Sequence, residues 1–280
     1  MNKYDIKPVL KWAGGKRQLI EEINKCLPTT YKRYFEPFIG GGALLFELQP
    51  ERAIINDYNW ELTNLYHVIK NNPDELIERL TIYQEKHSKE FYYEIRELDR
   101  KNEFESMSDV EKAARTLYLN RTCYNGLFRV NRSGYFNTPM GRYRNPQILN
   151  SHNIRELSQF FNFAKVDITT GDFAEILKRT RKGDFVYLDP PYFPLTETSS
   201  FTDYTELGFG KIDQLRLKEE CEKLHKKGVF FLQSNSDCPF IRDLYGEFYI
   251  KTVVVRRSIN SEKSKRANMT EVLIANYPIN

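Results

Sequence analysis

Phe185-Val186-Tyr187-Leu188-Asp189-Pro190-Pro191-Tyr192 is the stretch that decides how this chain folds and where its chemistry lies. Its first four residues are apolar or aromatic and read as a buried strand. Neither proline can donate an N–H to a ladder, so the chain leaves the sheet at Asp189 with a stiff backbone. A carboxylate, a proline carbonyl and an aromatic ring are thereby fixed at the carboxyl edge of a sheet, where open α/β sheets bind ligands. The set suits an exocyclic amine on a planar ring. Asp189 and the Pro190 carbonyl can each accept one N–H, and Tyr192 can stack on the ring. Accepting both protons draws the nitrogen towards a tetrahedral form whose lone pair can face an electrophile. A proline-rich turn without chemistry is the plainer alternative, and the placement at a strand end weighs against it.

Towards the amino terminus, Tyr34-Phe35-Glu36-Pro37-Phe38 reads as a short strand and Gly40-Gly41-Gly42 as a turn. Ala43 to Leu48 then opens a helix, and Ala53 to Asp57 is a second strand ending in a carboxylate. Phe38, Gly40 and Gly42 line a turn whose backbone a ligand can approach closely, and Asp57 can accept two hydrogen bonds from ribose hydroxyls. This arrangement fits any adenosine cofactor. The chain has neither Gly-x-Gly-x-x-Gly nor a Gly-Lys-Ser/Thr phosphate loop, which disfavours dinucleotides and nucleoside triphosphates.

From Trp60 to about Asn120 the apolar spacing turns helical. Leu62, Leu65, Tyr66 and Ile69 form one face; Leu76, Ile77, Leu80 and Tyr83 a second; Ala113, Ala114, Leu117, Tyr118 and Arg121 a third. Pro73-Asp74-Glu75 marks a helix start, and a Gly/Asn/Pro-rich loop follows from Thr122 to Pro146. Strand signals return at Lys165–Thr169, Phe185–Leu188, Val229–Gln233, Tyr249–Val255 and Val272–Asn276, with a helix over Ile212–Lys226 stopping at Gly228. The expected fold is α/β. Residues 1–58 and 156–280 make the sheet domain, and a mostly helical insert occupies 59–155.

Composition agrees with a folded chain: of 280 residues, 40% are hydrophobic and 14% aromatic, which excludes intrinsic disorder. No apolar run approaches the ~20 residues that a membrane helix needs. Met1 to Lys7 lack the apolar core of a signal peptide, so a cytoplasmic protein with no membrane partner is expected. Cys26, Cys123, Cys221 and Cys238 form no Cys-x-x-Cys pair and the histidines are scattered, so no metal site is expected. A nucleophilic role for Cys123 has no family signature around it to support it.

The formal net charge is only +4, yet Lys112, Arg115, Arg121, Arg129, Arg132, Arg142, Arg144 and Arg155 follow one another without an acid among them. A solvated face is the bland reading. Interleaved Tyr124, Phe128, Tyr135, Phe136 and Tyr143 favour contacts with phosphates and bases instead.

Together, Phe35–Gly42 and Asp189-Pro190-Pro191-Tyr192 resemble the signature of amino-methyltransferases of DNA, in the motif order of the α group. More closely, the chain resembles the Dam-type DNA adenine methyltransferases, including those of DpnII-like restriction systems. The likeness runs through Lys11-Trp12-Ala13-Gly14-Gly15-Lys16-Arg17, the stretch from Arg121 to Asn131, Phe136 to Tyr143, and Glu271 to Tyr277. It implies a Rossmann-like sheet that binds S-adenosyl-L-methionine, with Asp189, Pro190 and Tyr192 catalytic. It implies cofactor binding by Trp12, Lys16, Asp57 and Asp189, and an adenine site at Asp172 and Phe173 in Thr170-Gly171-Asp172-Phe173. It implies that double-stranded DNA is read by Arg121, Tyr124, Asn125, Leu127, Arg129, Asn131, Pro139 and Arg142, and that the target adenine is flipped out of the duplex. Arg129 is the guanine reader expected for a GATC site, since Arg can grip guanine O6 and N7 together. A cognate restriction endonuclease is an implied partner, and the enzyme is expected to be a monomer.

Relatives reading longer, GATATC-like sites share much of the loop, which keeps the target open. Cytosine N4 methylation is the alternative chemistry, although it more often goes with Ser before Pro-Pro. RNA or protein glutamine as substrate would favour Asn at that position. A catalytically silent DNA-binding regulator is the alternative outside enzymes, and intact motifs argue against it.

Overall fold

The computed structural model describes residues 4–12, 16–194, 209–256 and 268–279. Among the described residues seven strands form one sheet: β1 (Tyr34–Glu36), β2 (Ala53–Asp57), β3 (Asp167–Thr170), β4 (Phe185–Leu188), β5 (Phe230–Ser236), β6 (Tyr249–Arg256) and β7 (Asn268–Ala275). Their order is β3-β2-β1-β4-β5-β7-β6. β1 runs parallel to β2 and β4, with Phe35 beside Ile54 and Val186. β4 runs parallel to β5, whereas β7 is antiparallel to both β5 and β6. The direction of winding reverses between β1 and β4, and at such a switch point the carboxyl ends of the strands open a crevice for ligands.

The ends of the strands differ from the apolar pattern for identifiable reasons. β1 stops at Glu36 because Pro37 has no N–H to pair. Lys165, at φ 47°, turns the chain before β3 begins. β5 continues through Ser234-Asn235-Ser236, and β7 starts at Asn268, because β5–β7 and β6–β7 pairing satisfies the backbone of polar residues there.

Among the described residues the helices are α1 (Ile20–Lys25), α2 (Ala43–Leu48), α3 (Trp60–Asn71), α4 (Pro73–Glu85), α5 (Lys89–Arg96), α6 (Glu103–Ser106), α7 (Asp109–Thr122), α8 (Ser151–Phe163), α9 (Phe173–Lys178), α10 (Lys211–Lys227) and α11 (Pro239–Leu244). Their starts carry the expected chemistry. Asn59 caps α3, Pro73 opens α4, and Ser108 with Glu111 forms a reciprocal capping box on α7. Gly228 closes α10 in the left-handed conformation. No described helix is long and apolar enough to cross a membrane.

Two compact units emerge. The first gathers Met1–Gly15, Gly40–Glu51 and Asp57–Gly171; the second gathers Lys16–Ile39, Arg52–Asn56 and Asp172–Asn280. These cuts fall elsewhere than the 58/59 and 155/156 boundaries at which the helical pattern begins and ends. In the first unit α7 packs against α3, α4 and α5. Leu62, Leu65, Tyr66, Ile69, Leu80, Ala113 and Tyr118 are all buried there, as their spacing predicts. The second unit has a core of Phe35, Ile54, Val186, Leu188, Leu217, Phe231, Val272 and Ile274. Burying such side chains contributes ~1.5–3 kcal/mol each.

Candidate active site

In the second unit, Asp189 is the first residue past β4 and is half-buried. Its Oδ1 receives two donors, the Lys16 ammonium at 2.8 Å and the Ser234 hydroxyl at 2.9 Å. Ser234 lies on β5, one place beyond the residue paired with Leu188, so the sheet register itself puts its hydroxyl beside Asp189. The hydroxyls of Tyr187 and Ser234 lie 3.2 Å apart. Lys16 is 8% exposed despite its charge, which is tolerable because its ammonium meets a carboxylate and lies 4.4 Å from the centre of the Tyr192 ring.

Polar groups of this unit also grip the segment after the motif. Gln214 donates to the Pro191 carbonyl at 3.0 Å, Asn235 accepts the Phe193 N–H at 3.2 Å, and Ser236 donates to the Phe193 carbonyl at 2.6 Å. The Tyr192 hydroxyl donates to Glu271 at 2.7 Å. Burial, reinforced by the nearby carboxylates of Asp189 and Glu271, holds that phenol far above its ordinary pKa, so it remains a donor. Beyond β1, the half-buried Phe38 and the buried Phe173 stand 5.4 Å apart at 33°. Asp172 caps α9 through the Ala174 N–H, and both its oxygens receive Arg216 Nη2 at 3.0–3.1 Å. The carboxylate expected to meet an adenine is thus already bridged to an arginine.

In the first unit, Asp57 ends β2 half-buried. Oδ2 accepts the Gly40 N–H and Oδ1 the Asn59 N–H, each at 3.0 Å. Burial raises its pKa, and backbone donors from Asn59, Gly40 and Tyr58 oppose the rise. Gly40 and Gly42 adopt φ of 47° and 69°, which L side chains rarely adopt. A Cβ on Gly40 would meet the Trp12 indole at 2.9 Å, and one on Gly42 the Phe46 ring at 2.7 Å. The small size of these glycines therefore serves Trp12 and Phe46. Trp12 also packs on Phe128, at 5.5 Å between ring centres. Ala13, Gly14 and Gly15 of the expected motif lie outside the described residues.

The loop expected over Thr122–Pro146 contains an antiparallel ribbon, bridged at Cys123–Met140 and Val130–Phe136. Arg129, Arg132, Arg142, Arg144, Tyr124, Asn125 and Leu127 are exposed, and Arg121 is half-buried. Arg129 Nε donates to Asn137 Oδ1 at 2.7 Å, which steadies the guanidinium. The Asn131 carboxamide oxygen is committed to the turn, accepting the N–H groups of Ser133 and Tyr135, and the Pro139 carbonyl accepts from Tyr124. Arg115 departs from the basic-face expectation. It is fully buried and paired with Asp99 at 2.6 Å, because α7 turns it into the helical core. Cys123 is buried as well. Burial pushes its thiol up to about 11, so it is no nucleophile.

The sequence assigns no role to Ser234, Glu271, Asn120 or Asp99. The first two could have been noticed as polar residues at the ends of strongly apolar strands. Asn120 is 1% exposed; it takes the Lys11 N–H and donates to the carbonyls of Lys11 and Gly126. Asp99 accepts the Phe136 N–H at 2.7 Å, and Arg100 donates to the Phe136 carbonyl at 2.9 Å, so together they fasten the ribbon near its turn.

Residues 12–259 match the family described as D12 class N6 adenine-specific DNA methyltransferase. The Type II methyltransferase M1.LlaDCHI of Lactococcus lactis subsp. cremoris is 47% identical over 276 residues, covering 99% of this chain and 97% of the relative. The Type II methyltransferase M.MjaIII of Methanocaldococcus jannaschii is 43% identical over 291 residues, covering 98% and 100%. The DNA adenine methylase of Escherichia coli (strain K12) is 36% identical over 273 residues, covering 96% and 95%.

Proposed function

The chain belongs to the D12 class of N6 adenine-specific DNA methyltransferases, and we propose that it methylates adenine within GATC in duplex DNA, using S-adenosyl-L-methionine and a flipped-out target base. The observation that carries the catalytic assignment is the twofold engagement of Asp189 Oδ1 by Lys16 and Ser234. Those donors hold the carboxylate in one orientation and direct its other oxygen towards a substrate amine.

The residues fit the proposed donor. Asp57 meets backbone N–H groups only, and its two oxygens together offer about four lone-pair sites, enough to accept a ribose hydroxyl as well. Phe38 and Phe173 supply aromatic faces for a purine, and Trp12, Gly40 and Gly42 shape the turn beside Asp57. Lys16 contributes a cation to the same function. Asp172 and Phe173 hold the adenine ring, Asp172 also capping α9 and bridging to Arg216. The bound donor would supply a methyl group on a sulfonium sulfur, an electrophile with a neutral leaving group.

In this reading Asp189 and the Pro190 carbonyl accept the two N6 hydrogens, which localises the nitrogen lone pair. Tyr192 stacks on the flipped adenine. Methyl transfer to that nitrogen would leave it carrying a surplus proton, which Asp189 accepts and passes to solvent. Segments 1–58 and 156–280 carry catalysis, and 59–155 carries DNA recognition through Arg121, Tyr124, Asn125, Leu127, Arg129, Asn131, Pro139 and Arg142. The proposal extends to a cytoplasmic monomer working beside a restriction endonuclease of the same site. Two relatives bear the name Type II methyltransferase, which supports that setting.

Sequencing modified bases in DNA from cells expressing the chain tests this directly. N6-methyladenine at GATC on both strands is expected, and none with Asp189→Ala. Methylation centred on another sequence overturns the target, and persistence with Asp189→Ala overturns the catalytic assignment.

A further inference from the structure

The segment Pro191–Phe193 is held at three backbone groups by Gln214, Asn235 and Ser236, but these bonds fix only the near end of Tyr192. Its ring still has two rotatable bonds, and a stacking surface is useful only in one plane. The far end is fixed by Glu271, whose carboxylate accepts the phenol at 2.7 Å.

Glu271 is placed for this by the sheet. It pairs with Ser236 on β5 and with Val253 on β6, and it heads the run Val272, Leu273, Ile274 and Ala275, all buried. A half-buried acid at that position is costly unless something donates to it. The phenol does so, and its raised pKa keeps the proton on the oxygen. Lys16 lies over one face of the ring, 4.4 Å from its centre, so a stacked base would have to use the other.

We propose that Glu271 is a positioning residue for methyl transfer, holding the Tyr192 ring in the plane that receives the target base. The inference rests on the reading of Tyr192 as the stacking residue. It makes Tyr192 more than a bare aromatic: its hydroxyl is the handle by which β7 orients it.

A double-mutant cycle in a single-turnover methylation assay on duplex DNA tests the link. A hydrogen bond between a neutral donor and a carboxylate implies that Glu271→Leu lowers the rate about ten- to a hundredfold, with little change in KM for DNA. Tyr192→Phe should lose a similar factor, and Tyr192→Phe/Glu271→Leu should be no slower than either alone. Glu271→Gln, whose amide oxygen can still accept, should recover much of the rate. Losses that multiply in the double variant overturn the proposal, as does a wild-type rate for Glu271→Leu. If Glu271→Leu fails to fold, the same cycle with Glu271→Gln decides: its smaller loss must vanish in the Tyr192→Phe background. Tyr192→Ala separates the two levels. An active Tyr192→Ala overturns the stacking role and this inference together, whereas an inactive Tyr192→Ala beside a wild-type Glu271→Leu overturns the inference alone.

Discussion

Two carboxylates, Asp189 and Asp57, face opposite electrostatic situations. Asp189 has a lysine and a hydroxyl on one oxygen, whereas Asp57 has backbone donors only and is penalised by burial. With the raised pKa of Asp57, ionisation opposes folding as pH rises through that value, and the group is protonated at a pH where an ordinary carboxylate is already charged. Ribose hydroxyls donate to the ionised form and therefore favour it. Affinity for S-adenosyl-L-methionine should consequently increase as pH rises from the acidic side, with a proton released on binding. Calorimetric titrations in buffers of different ionisation enthalpy would detect that proton, and Asp57→Ala should bind more weakly with the proton release gone. Binding by Asp57→Ala that matches the wild type at every pH removes Asp57 from the cofactor's contacts. The same variant should melt earlier, because the Gly40 and Asn59 N–H groups lose charge-assisted bonds worth about 1.5–3 kcal/mol each.

At the scale of elements, α7 does more than fill the helical core. Its last turn carries Asn120, whose side chain makes three bonds to the backbone of Lys11 and Gly126 and so ties the segment carrying Trp12 to the start of the ribbon. Asn120→Ala would strand three backbone groups in a buried place at about 1–3 kcal/mol apiece. The urea midpoint should fall by several kcal/mol equivalent with an unchanged slope, while a loss under 1 kcal/mol would show that water replaces the side chain. Such residues mark the limit of what the sequence reveals. β4 and its Asp189-Pro190-Pro191-Tyr192 end are legible because apolar residues and prolines act through local backbone rules. The helical faces around Leu62, Leu80 and Tyr118 are legible for the same reason. Asn120, Ser234 and Glu271 act on residues 109, 45 and 79 positions away, and no local pattern carries that information. The run Ser234-Asn235-Ser236 looks like a strand's end, yet it continues β5, because its polarity is consumed by Asp189, Gln214 and Phe193. The basic run misleads in the opposite direction: an arginine count cannot tell Arg115, paired in the core, from Arg129 on the ribbon.

For the molecule as a whole, a net charge of +4 is too small to hold DNA by a diffuse field, so attraction must come from where the arginines are concentrated. Of the eight basic residues in the run, Arg115 is spent on Asp99 and Arg155 pairs with Asp74. Arg129, Arg132, Arg142 and Arg144 are exposed. If all four met phosphates, log affinity would fall with log salt by a slope of roughly 3 to 4, since each contact contributes about 0.9. Arg129 differs from the others in having Nε held by Asn137, which leaves the paired Nη groups free for a bidentate grip on guanine. Arg129→Ala should therefore narrow the ratio of methylation rates between GATC and singly substituted duplexes by about 5- to 150-fold, equivalent to about 1–3 kcal/mol. It should leave the salt slope nearly unchanged. Arg142→Ala and Arg144→Ala should do the reverse, slowing all duplexes alike and lowering the slope by about 1 each. Asn137→Ala offers an internal control, because it frees the Arg129 guanidinium without removing it and should cost discrimination by a smaller factor. If Arg129→Ala instead slows every duplex in parallel and shifts the salt slope as Arg144→Ala does, the ribbon is an electrostatic clamp and discrimination resides in other side chains.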